Sequence, residues 1–164
     1  MKVTIEERMD VEGFLFKEAR YADESRYSDW ESLVDDDMHY WIPLAGNQAE
    51  GELQVSILND NRPRLATRIR QLNTGVRHAQ LPVSRMCRTV SNIEIEKMED
   101  GSFHVLTNTV LFEERTQTAA GLSVSWPARV EYKLRYKDGE LKMFLKKVML
   151  LNSEGPLRGI GFLL

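Results

Sequence analysis

The sequence predicts an α+β fold: a curved antiparallel sheet forming a cone, with N-terminal helices packed on its concave face. Three observations predict it. First, Val124, Trp126, Ala128, Val130, Tyr132, Leu134 and Tyr136 occupy every second position, opposite Ser123, Ser125, Arg129, Glu131, Lys133 and Arg135, the period of a half-buried antiparallel strand. Second, Asp138-Gly139 and Asp100-Gly101 are tight-turn dipeptides, each set between two such runs, so two long hairpins stand in sequence and supply a four-stranded core sheet. Third, the first two dozen residues carry apolar positions at helical spacing, and a hairpin with one apolar face needs such elements to cover it.

Taken in order, Thr4 and Glu7 have the spacing of a capping box, so a helix starts there. Ile5, Met9, Val11, Phe14, Leu15, Ala19 and Ala22 form its apolar stripe, while Glu6, Glu7, Asp10, Lys17 and Glu18 point elsewhere, and the helix ends near Glu24. Ser28 to Glu31 repeats the capping arrangement, and Trp30, Leu33 and Val34 bury one side of a short second helix. The run Asp35-Asp36-Asp37 stops it, because three carboxylates at a helix C-terminus oppose the macrodipole. Met38 to Leu44 is a strand, with Tyr40 and Ile42 on one face, His39 and Trp41 on the other, and Pro43 near its end. Gly46, Asn47 and Gly51 mark a loop. Asn59-Asp60-Asn61 caps a third helix entered through Arg62-Pro63, with Leu65, Ile69 and Leu72 inward and Gly75 at its end. From Ser84 the chain is extended, with Ser91, Ile93 and Ile95 on one face, and Phe103 to Glu114 is the next long strand. Leu122 to Asn152 closes the set as a hairpin whose second strand carries Leu141, Met143, Phe144, Leu145, Val148, Met149, Leu150 and Leu151.

With 164 residues the chain has the length of one domain, residues 1–164, large enough to bury a core without a disulfide or a metal. No run approaches the roughly 18 apolar residues of a membrane span, and Met1 to Glu7 has no signal-peptide core. A cytoplasmic address is the expectation, and the single cysteine, Cys87, fits a reducing compartment. The net charge of −3 is unevenly spread. Residues 1–60 hold fifteen acidic against five basic side chains, whereas residues 61–93 hold Arg62, Arg64, Arg68, Arg70, Arg77, Arg85 and Arg88 and no acid. These arginines either meet an acidic patch of a neighbouring copy, with Arg64 and Arg68 foremost, or pair internally with the acidic first segment. Overall acidity and the lack of a binding motif argue against nucleic acid.

The residue inventory bounds the chemistry. A Rieske-type cluster needs two cysteines and two histidines, which one cysteine cannot supply. The histidines, His39, His78 and His104, have no two-histidine metal spacing, and no Gly-rich phosphate loop follows a strand. No catalytic, cofactor-binding or metal-ligating residue is therefore assigned, and Cys87 is expected to be a buried, inert thiol on a strand. Acid/base work inside the cone keeps His104, Tyr40, His39 and Asp37 as candidates, since a carboxylate or histidine there can be desolvated and tuned. Each also has a plain structural role: Asp37 in a turn, Tyr40 in the core with its hydroxyl at the rim, His39 and His104 on exposed strand faces.

Several stretches carry a family resemblance. Val11 to Ala19, Asp23 to Trp30, His39-Tyr40-Trp41-Ile42-Pro43, Asn59 to Leu65, Ser84-Arg85, Val90-Ser91-Asn92 and Gly161-Phe162-Leu163-Leu164 resemble, in this order, the small (beta) subunit of aromatic-ring-hydroxylating dioxygenases. The chain departs from that family at Met86-Cys87-Arg88, where a polar, basic and histidine run is more usual. The resemblance implies the cone fold shared with nuclear-transport-factor-like (NTF2-like) and ketosteroid-isomerase-like proteins. It also implies a structural role beside a large (alpha) subunit that carries the Rieske cluster and mononuclear iron, with no cofactor in this chain, and assembly as three large and three small subunits. The rival class is a stand-alone small-molecule isomerase or dehydratase on the same cone, because fold does not fix function.

The isolated chain is expected to be redox-silent. Metal analysis after anaerobic purification should find no stoichiometric iron and the spectrum no visible band; a bound cluster would contradict the ligand count.

Overall fold

The computed structural model describes residues 1–44, 56–75, 83–116, 121–151 and 162–164. Helix α1 spans Ile5–Asp23, α2 Tyr27–Glu31 and α3 Arg62–Asn73; the strands are β1 Val34–Pro43, β2 Ser56–Asp60, β3 Arg85–Lys97, β4 Phe103–Arg115, β5 Leu122–Lys137 and β6 Glu140–Leu150. The strands form one curved, open sheet in the order β2-β1-β6-β5-β4-β3, with α1 packed on β3 and β6 and α3 on β1 and β2. The expected loop at Gly46, Asn47 and Gly51, together with Arg77, His78, Asn152 and Gly161, lies outside the described residues.

The local signals act where they stand. Thr4 and Glu7 exchange both bonds of a capping box, the Glu7 N–H donating to Thr4 Oγ1 at 3.1 Å and the Thr4 N–H to Glu7 Oε2 at 2.9 Å. Asn61 caps α3 by accepting from the Arg64 N–H, and Leu65, Ile69 and Leu72 are buried beneath it. Asp138 and Gly139 take φ of +53° and +82°, the left-handed region that a two-residue hairpin turn demands, and join β5 to β6 in antiparallel register. On β5 the inward set from Trp126 to Leu134 is buried.

Four expectations are corrected. The sheet has six strands, and β1 runs parallel to β6, Tyr40 lying beside Lys146 and Trp41 beside Lys147. Helix α2 begins at Tyr27 with Arg26 at its cap and stops at Glu31, so Ser28 is not the cap and Asp35-Asp36-Asp37 end no helix. Those carboxylates open β1 because cations on β5 meet them: Asp35 accepts from Arg135 Nε at 2.6 Å and Lys137 Nζ at 2.7 Å, Asp36 from Lys137, and Asp37 from Arg135. Tyr136 does not fill the cone. It is 43% exposed and donates its hydroxyl to Asp10 on α1. Ile5 and Met9 are 81% and 68% exposed, lying off the face of α1 that carries its buried residues.

The arginine-rich segment is largely spent internally: Arg62 pairs with Glu31 at 2.8 Å, Arg68 with Asp60 at 2.6 Å and Arg88 with Asp23 at 2.7 Å. Arg64 donates to the Asn59 carbonyl and Arg70 to Thr67 within their own neighbourhood. Three acids of the first segment thus receive three of these cations.

Burial opposes ionisation of Asp35, but the bonds from Lys137, the Asp36 N–H and Arg135 outweigh it and hold its carboxyl at about 2. A depressed folded pKa gives stability that is complete above the ordinary value of 3.8 and lost as pH falls through the folded one. Because both cations are partly exposed, Asp35→Asn should cost only about 1–2 kcal/mol at neutral pH. Urea titrations should show that gap closing between about pH 4 and pH 2; a pH-independent gap would assign the loss to packing.

Candidate functional site

The inner face of the sheet carries an array of polar groups among aromatic side chains. Helical spacing sends Val11, Phe14, Leu15, Glu18, Ala19 and Ala22 of α1 toward the sheet, so Glu18 lies within the apolar stripe and is buried. Strand alternation does the same for Lys146, which shares the inward set of β6 with Val148 and Leu150. Lys146 Nζ donates to Glu18 Oε1 at 2.5 Å, and the Trp30 indole N–H donates to the same oxygen at 2.6 Å. The ammonium also sits 5.6 Å from the ring centre of Tyr132 and 5.9 Å from that of Trp30, where the negative face of each ring attracts a cation. Burial pushes the Lys146 amine below its usual range against the pull of Glu18, and pushes the Tyr132 and Tyr40 phenols upward.

Toward the cone's mouth the polar groups are tied to main chain. Arg88 gives Asp23 both its Nε, at 2.7 Å, and its backbone N–H, at 2.9 Å, and sends Nη2 to the Leu163 carbonyl at 3.1 Å. The Tyr40 hydroxyl accepts from the Leu164 N–H at 2.9 Å and donates to the Leu164 oxygen at 3.3 Å. Phe162 packs edge-on against Trp126, ring centres 5.8 Å apart, and Trp126 donates its indole N–H to the buried Glu113. Residues 162–164 are therefore buried against the inner face of the sheet. Behind them Tyr27, Trp30, Tyr40, Phe103 and Tyr132 fill the interior. Clefts of about 680 Å³ and 770 Å³ lie outside the cone.

The sequence candidates are not brought together. His39 Nε2 donates to Asn59 Oδ1 at 2.6 Å, and the ring stacks on Trp41 on the outer face. His104 lies on the outer face too, 2.9 Å from Glu131, and Asp37 is exposed on β1. Tyr40 alone of the four points inward, and its hydroxyl is buried and doubly bonded rather than at a rim. Cys87 is exposed, not buried, because its neighbour Arg88 takes the inward position on β3. Among the described residues no group of three or more His, Cys, Asp and Glu side chains is placed to hold a metal. Sequence reasoning missed Glu18 and Lys146. The signal was present, since each is a charge at an inward position of an apolar period.

A family model described as "Ring hydroxylating beta subunit" matches residues 17–154. The chain belongs to that family. This beta subunit is 28% identical over 145 residues to the small oxygenase component of the p-cumate 2,3-dioxygenase system of Pseudomonas putida, covering 87% of this chain and 78% of the relative. Its fold is that of the beta subunit of the benzoate 1,2-dioxygenase of Burkholderia mallei, with a TM-score of 0.77, 21% identity and 99% of each chain covered. The same fold appears in a hexachlorocyclohexane dehydrochlorinase, with a TM-score of 0.65 and 15% identity over 95% of this chain and 92% of the other. The beta-subunit fold is thus shared with a protein named as an enzyme.

Removing one member of a buried ion pair strands the other, so Lys146→Met should destabilise the beta subunit by about 3–5 kcal/mol. Adding Glu18→Gln, which keeps an acceptor for Trp30, should recover part of that loss. Denaturant titration of the two singles and the double decides it; strictly additive costs would mean that the pair is not coupled.

Proposed function

We propose that this beta subunit is the small, non-catalytic subunit of a multicomponent aromatic-ring-hydroxylating dioxygenase, supporting assembly of the large subunit in aromatic compound catabolism. The observation that carries it is the family match over residues 17–154. The bonding of the inner polar groups supports it: an acid/base enzyme needs a tuned group facing a ligand-sized cavity, whereas here Glu18, Lys146, Tyr40 and Arg88 bond to the protein itself. The alternative of a stand-alone isomerase or dehydratase has no observation in its favour.

In this reading residues 1–164 form one cytoplasmic domain with no catalytic, cofactor or metal residue of its own. The Rieske cluster and mononuclear iron reside in the large subunit. Three copies of this chain assemble with three large subunits, without nucleic acid or membrane as a partner. No described helix is long and apolar enough to cross a membrane.

Co-expression with the large subunit of the adjacent open reading frame tests the reading. The two chains should co-purify, and His104→Ala or Asp37→Asn should leave ring hydroxylation within about twofold of wild type, because neither side chain reaches the interior. Turnover of a small ketone or enol by the isolated chain, lost in either variant, would replace the scaffold with an enzyme.

A further inference from the structure

Residues 162–164 are held on the inner face in the manner of a bound peptide. Phe162, Leu163 and Leu164 are all buried, yet they belong to no helix or strand. Phe162 lies edge-on to Trp126 of β5. The Leu163 carbonyl accepts from Arg88 Nη2 of β3 at 3.1 Å. The Leu164 N–H donates to the Tyr40 hydroxyl of β1 at 2.9 Å, and that hydroxyl donates to the Leu164 oxygen at 3.3 Å. Main-chain hydrogen bonds supplemented by side-chain pockets are the means by which extended peptides are recognised.

The three anchors are dispersed over the sheet and set in place without the segment they hold. In the order β2-β1-β6-β5-β4-β3 none of β1, β5 and β3 is a neighbour of another, and β1 lies four places from β3. Four places on a flat sheet are about 19 Å, whereas three extended residues reach about 10 Å. Curvature and the long side chains of Arg88 and Tyr40 close that gap. Each anchor has a second contact of its own: Arg88 with Asp23 at 2.7 Å, Trp126 with Glu113 at 3.0 Å, and Tyr40 edge-on to Trp30 with ring centres 6.1 Å apart. Asp23 balances the charge of Arg88, and Arg115 balances that of Glu113. What Arg88 and Tyr40 offer is therefore hydrogen bonding to neutral main-chain groups.

We propose that this part of the inner face is a binding site for a short, neutral, apolar peptide segment, and that residues 162–164 are its resident ligand. The anchors are preorganised, so an occupant gains their contacts without having to order them. The occupant itself is tied in by side chains of other elements and not by a strand ladder, which makes it exchangeable in a way that a core strand is not. A tethered ligand has an effective concentration on the order of millimolar, so a free peptide enters only when the tethered one is weakened. The site lies within one chain and goes beyond the assembly role proposed above, which it neither requires nor alters.

Calorimetric titration of the full chain with acetyl-Phe-Leu-Leu-amide tests the proposal. Phe162→Asp sets a carboxylate against the Trp126 ring and should release the segment, seen as at least tenfold faster hydrogen exchange at the Leu163 and Leu164 amides than in wild type. That variant should bind the peptide at least tenfold more tightly than wild type does, and its melting temperature should rise with peptide concentration. Adding Tyr40→Phe, which keeps the ring and removes the hydroxyl, should weaken peptide binding at least fivefold. A released segment with no peptide binding would overturn the proposal. Amides that stay protected in Phe162→Asp, equal binding by wild type and variant, or binding indifferent to Tyr40→Phe would each do the same. Should Phe162→Asp leave the chain unfolded, saturating peptide is expected to refold it, and a chain that stays unfolded would count equally against the site.

Discussion

An ammonium and a carboxylate withdrawn from water each lose several kcal/mol of solvation, and a close, well-bonded partner has to offset that loss. Glu18 and Lys146 meet this condition at the centre of the cone, with Trp30 supplying a further proton to the carboxylate and two aromatic rings facing the ammonium. The partners lie 128 positions apart, one on α1 and one on β6. Their bond therefore sets where the helix lies along the sheet, and apolar packing, which is not directional, would not fix that placement as narrowly. The aromatic interior is arranged around a bond that requires one geometry.

The same economy governs the rest of the inner face. Its polar groups are bonded by the chain: Arg88 by Asp23 and the Leu163 carbonyl, Tyr40 by the main chain of Leu164, Glu113 by Trp126, Ser84 and Arg115. The polar groups of this inner face are thereby bonded within the chain itself.

Much of the fold was legible because it is encoded locally. Capping residues sit within three positions of the groups they bond, and the Asp-Gly turns act on adjacent residues, so α1, α3 and both hairpins follow from short windows of sequence. What escaped was decided at long range. Asp35 reads as a helix stop until Arg135 and Lys137 are placed against it, and Glu18 reads as solvent-facing until Lys146 arrives. Tyr136 obeys its strand period and is still exposed, and Ile5 and Met9 belong to an apolar stripe broader than the face α1 turns to the sheet, so apolar identity alone did not place them. Cys87 and Arg88 exchange their expected burial because a buried arginine is invisible without Asp23.

The parallel pairing of β1 with β6 also orders events in time. Tyr40 acquires its neighbour Lys146 only after 106 further residues have been added, and Asp35 its cations after 100 and 102. While the chain is being synthesised, β1, α1 and α2 emerge with apolar faces and carboxylates that nothing yet made can cover. Non-local contacts of this span are associated with slow folding and with exposure to aggregation along the way. The N-terminal half waits on the final strand of the sheet, and a molecule interrupted before β6 has neither the ion pair that positions its first helix nor the neighbour that orders its first strand.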